Sequence, residues 1–168
     1  MVKEKTMILN DSQVRKKVKR MAYEILESNF KQKELLFAGV TGQGFVLAKM
    51  LKKELNAISS IKTSVMEILI NKSAPQKGEI ELSPDKNITE GISVILVDDV
   101  LNTGRTLSYS LKPFLDLKVP KIEVAVLVDR EHEKYPINAK FTGLSLSTTL
   151  NDHVEVVFNE AEHIVYLT

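Results

Sequence analysis

Residues 94–106 read VILVDDVLNTGRT. Four aliphatic residues run straight into the adjacent carboxylates Asp98 and Asp99, and the chain then turns through Thr103, Gly104, Arg105 and Thr106. A short continuous apolar run bounded by turn residues is the pattern of a strand buried on both faces, as in a parallel sheet. In an open parallel sheet, ligands bind beyond the carboxyl ends of the strands, so this run delivers both aspartates to a binding edge. Two adjacent ionised carboxylates are costly inside a core and require solvent, hydroxyls, amides or a cation-bearing ligand. Thr103, Gly104, Arg105 and Thr106 lie between the strand end and a helix start, where free backbone N–H groups and the helix dipole favour a phosphate. Gly104 allows close backbone approach, the threonine hydroxyls add donors and Arg105 adds charge. The combination fits vicinal hydroxyls close to a phosphate monoester, which is the layout of a ribose 5-phosphate.

The flanking sequence repeats the alternation of helix and strand. From Ser12, an N-cap residue type, Val14, Val18, Met21, Ile25 and Leu26 recur at helical spacing, predicting an amphipathic helix to about Asn29 that sits outside the alternating core. Its other face carries Arg15, Lys16, Lys19 and Arg20. Residues 35–40 form an apolar strand ending in TGQG, and Val46, Leu47, Leu51 and Leu55 then mark a second helix. A strand over 64–70 leads into the polar stretch 71–87, which carries two prolines and a glycine and has the length of a loop, β-arm or flap. Leu107, Leu111 and Leu115 predict a third helix, kinked or ended early by Pro113. Strands follow over 122–128, 141–143, 154–158 and 164–166. This order predicts right-handed crossovers and a largely parallel sheet covered on both faces.

The chain has 168 residues, 43% of them apolar, without repeats or an obvious linker, which is the size of one domain over 1–168. It has no cysteine, so neither disulfides nor thiolate chemistry is available. The lack of a long apolar run, and an opening MVKEKTMILN without the apolar centre of a signal peptide, lead to the expectation of a cytoplasmic protein. A formal charge of +1 gives no global attraction to nucleic acid. His132, His153 and His163 are too scattered to define a metal site.

VILVDDVLNTGRT closely resembles the 5-phosphoribosyl-1-pyrophosphate (PRPP) motif of type I phosphoribosyltransferases. Together with AVLVDREHEKYPINAKFTG at 125–143, it resembles the pyrimidine operon attenuator/uracil phosphoribosyltransferase family, and the likeness extends to FAGVTGQGFVLAKML at 37–51 and to the flap. The resemblance implies an α/β fold with a mostly parallel central sheet flanked by helices, a flexible flap and a small hood. It implies that Asp98 and Asp99 hold the ribose hydroxyls and assist catalysis. Thr103, Gly104, Arg105 and Thr106 would cradle the 5-phosphate, and Thr41, Gly42, Gln43 and Gly44 would form the pyrophosphate loop. Asp129 and Arg130 would lie beside the nucleobase. The implied reaction is displacement of pyrophosphate from PRPP by uracil or a similar base, giving a nucleoside monophosphate in nucleotide salvage, with magnesium bound mainly through PRPP. A homo-oligomer, a dimer, is implied as well.

The sequence departs from the family pattern in three places. Thr41 and Gln43 stand where the family carries a lysine and an arginine, although amides around Gly42 and Gly44 remain able to bind an anion. The flap lacks the family's Arg-Asp pair and offers Lys72 and Lys77. STTLND at 147–152 lacks the arginine of the family's RNA-binding segment. The alternative function is therefore a sensor of PRPP or nucleotides that regulates pyrimidine genes through RNA. Simpler alternatives attach to single features. The aliphatic-DD run also occurs in nucleotide hydrolases, but this chain lacks the G-x-x-x-x-G-K-[ST] loop. GVTGQG at 39–44 alone reads as a tight turn, the basic cluster at 15–20 as a solvated helix face, and Asp129-Arg130 as a surface ion pair.

Overall fold

In the computed structural model, which describes residues 4–85 and 88–168, the apolar runs become strands of one six-stranded sheet. Lys86 and Asn87, at the end of the arm expected over 71–87, fall outside the described residues, as do residues 1–3. Strands β1 (Thr6–Leu9), β2 (Glu34–Val40), β3 (Lys62–Leu69), β4 (Glu81–Ser83), β5 (Ser93–Leu101), β6 (Ile122–Asp129), β7 (Phe141–Ser145), β8 (Val154–Phe158) and β9 (His163–Leu167) are joined by helices α1 (Asp11–Asn29), α2 (Gln43–Ile58), α3 (Arg105–Ser110) and α4 (Lys112–Leu115). The large sheet has the order β4-β3-β2-β5-β6-β7. Its pairings are parallel except for β4, which returns from the arm antiparallel to β3. The second sheet, β1-β9-β8, is antiparallel and forms the small hood.

Alternation along the strands explains why both faces of the large sheet are covered. Leu35, Phe37, Ile95 and Val97 pack with α1 and α2 in one apolar cluster, while Leu36, Ala38, Val94 and Leu96 pack with Leu107 and Phe114 in the other. Each such valine, leucine, isoleucine or phenylalanine side chain, taken fully out of water, contributes about 1.5–3 kcal/mol relative to exposure.

Several expectations change in detail. Asn10, not Ser12, caps α1: its side chain accepts from the Gln13 N–H at 2.9 Å, and the Gln13 side chain accepts from the Asn10 N–H at 2.9 Å. The stripe Val14, Val18, Met21, Ala22 and Ile25 is fully buried against the sheet and hood, so α1 belongs to the core rather than lying outside it. The third helix is two short ones. Pro113 sits in the first turn of α4, where its missing N–H is tolerated, and the break shifts the helical phase so that Phe114 is buried and Leu115 is 68% exposed. The expected strand over 64–70 begins at Lys62, and the four-residue β1 has no counterpart in the sequence reading. No helix among the described residues is long and apolar enough to cross a membrane.

At the amino-terminal edge of the sheet, Glu123 is 5% exposed and joins α1 to β6. It accepts from Asn29 at 2.9 Å and Ser28 at 2.8 Å, and pairs with Lys140 at 2.6 Å and Lys121 at 3.1 Å. Burial alone would raise its pKa, but hydrogen bonds from Lys140, Ser28, Asn29 and Lys121 together hold it below the ordinary value of 4.5. The stabilisation is therefore complete above 4.5 and is lost as pH falls through the lowered folded-state value. Glu123→Ala is expected to cost about 2 kcal/mol at neutral pH, or roughly 4–8 °C in Tm. Thermal denaturation at pH 7 and in acid checks this, and a difference that does not shrink in acid contradicts the assignment.

Candidate active site

Strand β2 connects to β3 on one side of the sheet and β5 to β6 on the other, so the topology reverses between β2 and β5. A crevice opens at the carboxyl end of such a reversal. The β2–β5 register ends at Gly39 opposite Val97, whereas β5 runs on beside β6 through Asp98 to Leu101. Asp98 and Asp99 thus occupy a strand that has lost one neighbour, instead of a loop beyond the strand.

Asp98 is 4% exposed, and its Oδ1 accepts from the Asp99 N–H at 2.9 Å and from Lys72 Nζ at 3.4 Å. Burial, and then the charge of half-buried Asp99, push the Asp98 carboxyl well above the ordinary aspartate value, while Lys72 opposes the shift. Gly44 makes this packing possible: a Cβ there would stand 2.7 Å from Asp98 Oδ1 and 3.0 Å from Asp98 Cα. The first turn of α2, with its partial positive charge, consequently abuts the carboxylate.

The loop after β5 is held from outside. Thr103 O accepts from the Lys134 N–H at 2.8 Å and the Tyr135 N–H at 3.1 Å. Gly104 has φ +81°, a left-handed conformation, and a Cβ there would collide with Ile137. The Arg105 N–H points to Thr103 Oγ1 at 3.3 Å, and the Arg105 guanidinium donates to Gln76 in the arm at 2.6 Å. A cleft of about 370 Å³ joins Lys72, Asp98 and Asp99 to Thr103, Gly104, Arg105 and Thr106, with His153 and residues 154–156 of β8 also in its lining.

The other expected site residues are placed differently. Thr41 and Gly42 form the turn from β2 into α2, Gln43 and Gly44 open that helix, and none of the four is among the residues lining this cleft. Thr41 donates through its hydroxyl to Glu67 at 2.8 Å and through its N–H to Ile68 O at 2.9 Å, and Gln43 Oε1 is buried without a hydrogen-bond partner. Asp129 ends β6 and is raised above the ordinary value by burial, with the Glu131 N–H opposing and the Glu133 and Glu131 carboxylates adding to the rise. Arg130 is 9% exposed and is no surface ion pair. It donates to Thr148 Oγ1 at 2.9 Å, Asn102 Oδ1 at 2.7 Å, Thr149 O at 3.1 Å and Asp152 O at 2.6 Å, tying the loop after β5 to residues 148–152. His132 meets Thr148 O at 2.8 Å in the same assembly.

Lys72, one of the arm lysines, is brought to the acid pair. His153 and Glu155 also reach the cleft, a placement the sequence did not signal because it depends on how the hood sheet docks.

The burial of Asp98 generates a prediction about stability. A folded-state pKa raised above the unfolded value means that ionisation destabilises the fold: the cost is absent in acid and grows as pH rises from 3.8 through the folded-state pKa. Asp98→Asn removes the charge and is expected to raise Tm at pH 8 by about 2 °C or more, with little change in acid. Equal shifts at both pH values in thermal denaturation would refute it.

A family model of the phosphoribosyl transferase domain matches residues 4–163. The Bifunctional protein PyrR of Limosilactobacillus fermentum is 34% identical over 162 residues, covering 91% of this chain and 90% of that protein. That of Brevibacillus brevis is 33% identical over 165 residues, covering 94% and 92%. Among solved structures, a Trypanosoma cruzi hypoxanthine phosphoribosyl transferase superposes with a TM-score of 0.75 at 17% identity, covering 97% of this chain and 91% of that one. A hypoxanthine-guanine phosphoribosyltransferase from Bacillus anthracis gives a TM-score of 0.69 at 22% identity, covering 83% and 81%. At these identities the structures speak for the fold, while the family model and the PyrR proteins speak for descent: the chain belongs to the phosphoribosyltransferase family, as a PyrR-like type I member.

Proposed function

We propose that this phosphoribosyltransferase transfers the 5-phosphoribosyl group of PRPP to uracil or a similar nucleobase, releasing pyrophosphate and forming a nucleoside monophosphate in nucleotide salvage. The observation that carries this reading is the joining, in one cleft at the sheet reversal, of the Asp98-Asp99 pair and the glycine-cornered loop Thr103, Gly104, Arg105, Thr106. In it the loop holds the 5-phosphate and the two carboxylates receive the ribose 2- and 3-hydroxyls. The base nitrogen attacks the anomeric carbon while the bond to the pyrophosphate oxygen breaks, and the nitrogen gives its proton to water. Positive charge grows on the sugar ring in the transition state, where a fixed carboxylate stabilises it more than in the ground state. In the turn Thr41, Gly42, Gln43, Gly44, the amides after Thr41 would serve the pyrophosphate, the Thr41 N–H being held by Ile68 O, and Asp129 and Arg130 border the base side.

Among the described residues no group of three or more His, Asp and Glu side chains is placed to hold a metal. Asp98 and Asp99 are too few for a complete magnesium shell but fit one whose other oxygens come from PRPP. Bound there, magnesium would neutralise the leaving pyrophosphate.

A second reading, a PRPP or nucleotide sensor that regulates pyrimidine genes through RNA, is favoured by the absence of cations at Thr41 and Gln43. Segment 147–152 lacks the family's arginine, and its backbone is engaged by Arg130. The experiment that separates the readings is incubation with PRPP and uracil, hypoxanthine, guanine or xanthine while following pyrophosphate release. Release with uracil is expected, whereas PRPP binding without release from any base would make the sensor reading the better one. Asp99→Asn, which keeps shape but removes charge, is expected to lower kcat on the order of a hundredfold with a smaller change in KM for PRPP. A loss confined to KM would remove Asp99 from the transition state.

The protein is also proposed to be a homodimer, on the family resemblance alone now that the apolar stripe of α1 is accounted for within the chain. Sedimentation showing a monomer at micromolar concentration would refute this.

A further inference from the structure

We infer that Lys72 is the cation that binds the diphosphate of PRPP in this chain, in place of the charges missing from Thr41 and Gln43. The inference rests on the transfer reaction proposed above and assigns one of its binding residues. Lys72 lies just beyond β3, and the carboxyl end of β3 runs alongside the diphosphate turn, where the Thr41 N–H donates to Ile68 O at 2.9 Å. From there its ammonium reaches Asp98 Oδ1 at 3.4 Å. That same oxygen is 2.7 Å from the point a Cβ on Gly44 would occupy. The ammonium and the backbone of the turn therefore converge on one atom, which puts the charge at the mouth of the turn although the residue comes from the arm.

Charge and mobility favour the assignment. The other strong cation of the cleft lining, Arg105, follows the loop after β5 and is engaged with Gln76. The side chain of Lys72 is 40% exposed, against 5% for Asp98, so the amine can turn while the carboxylate cannot. A lysine is a compact charge with three donors on a flexible stem, and this suits a diphosphate whose oxygens move apart as it leaves. Contact with Asp98 leaves further donors for the anion.

The test is calorimetry of inorganic pyrophosphate and, separately, ribose 5-phosphate binding to the full chain as wild type, Lys72→Ala and Lys72→Arg. Lys72→Ala is expected to weaken pyrophosphate binding about tenfold or more, Lys72→Arg to restore most of it, and ribose 5-phosphate affinity to change by much less than pyrophosphate affinity in both. An unchanged pyrophosphate affinity in Lys72→Ala, or equal losses for the two ligands, would overturn the inference and leave Lys72 as a structural partner of Asp98. Pyrophosphate binding requires no turnover, so the two readings fail separately. A wild type that binds pyrophosphate through Lys72 yet transfers to no base sinks the reaction alone, and one that transfers equally well as Lys72→Ala sinks the assignment alone.

Discussion

The site depends on a like-charge constraint. Asp98 and Asp99 are consecutive residues of one strand, and the buried member can stay near its partner only if the surroundings supply polar contacts. Two neighbours contribute such contacts, the Asp99 amide and the Lys72 amine at Oδ1, and Gly44 lets the start of α2 come close. None of this would be available in the middle of the sheet. It exists because β2 stops at the reversal while β5 continues, so Asp98 has β6 on one side and the turn into α2 on the other. The paired apolar layers on both faces supply the stability that allows the strand tip to carry unfavourable charge.

The same economy of placement appears in the loop after β5. It has few bonds of its own and is located by the segment after β6, through Thr103 O with the amides of Lys134 and Tyr135 and through Asn102 with Arg130. Arg130 in turn holds the backbone at Thr149 and Asp152. Arg130 thus links the 148–152 segment to the loop after β5 through side-chain hydrogen bonds, outside the sheet ladder. Arg130 consequently has a structural part irrespective of any contact with a base: four hydrogen bonds from one buried guanidinium tie two separate segments together.

Much of this was legible in the sequence, for local reasons. The runs at β2, β5 and β6 are continuous because both faces of a parallel strand are buried, and VILVDDVLNTGRT placed the acid pair and the loop in one neighbourhood. What escaped was what depends on distant partners. β1 is only TMIL, and it becomes a strand through pairing with β9 at the other end of the chain. The phase change at Pro113 reverses the exposure of Phe114 and Leu115, which a periodic count cannot foresee. Arg130 reads as a surface residue beside Asp129 until the 148–152 segment closes over it. The position of Lys72 depends on an arm whose sequence has no periodic pattern.

Lys72 and Gln76 bring that arm to the site at two points, Asp98 and Arg105. The Lys72-Asp98 attraction at 3.4 Å is worth about 1 kcal/mol at the dielectric of water and about 5 kcal/mol at an effective dielectric of 20. Because the amine is substantially exposed and the carboxylate is not, solvent screens the pair toward the lower figure. A diphosphate brings more than one negative charge and several acceptors, so it competes for this ammonium on favourable terms. Arg105 is in the same position toward a phosphate, since its bond to Gln76 is to a neutral amide. Both cations are therefore held strongly enough to be oriented by their own chain and weakly enough to be drawn onto an anion, and both exchanges would shift the arm that carries Lys72 and Gln76. On the proposed binding mode, occupation of the cleft by the sugar phosphate would therefore be coupled to the arm through these two contacts.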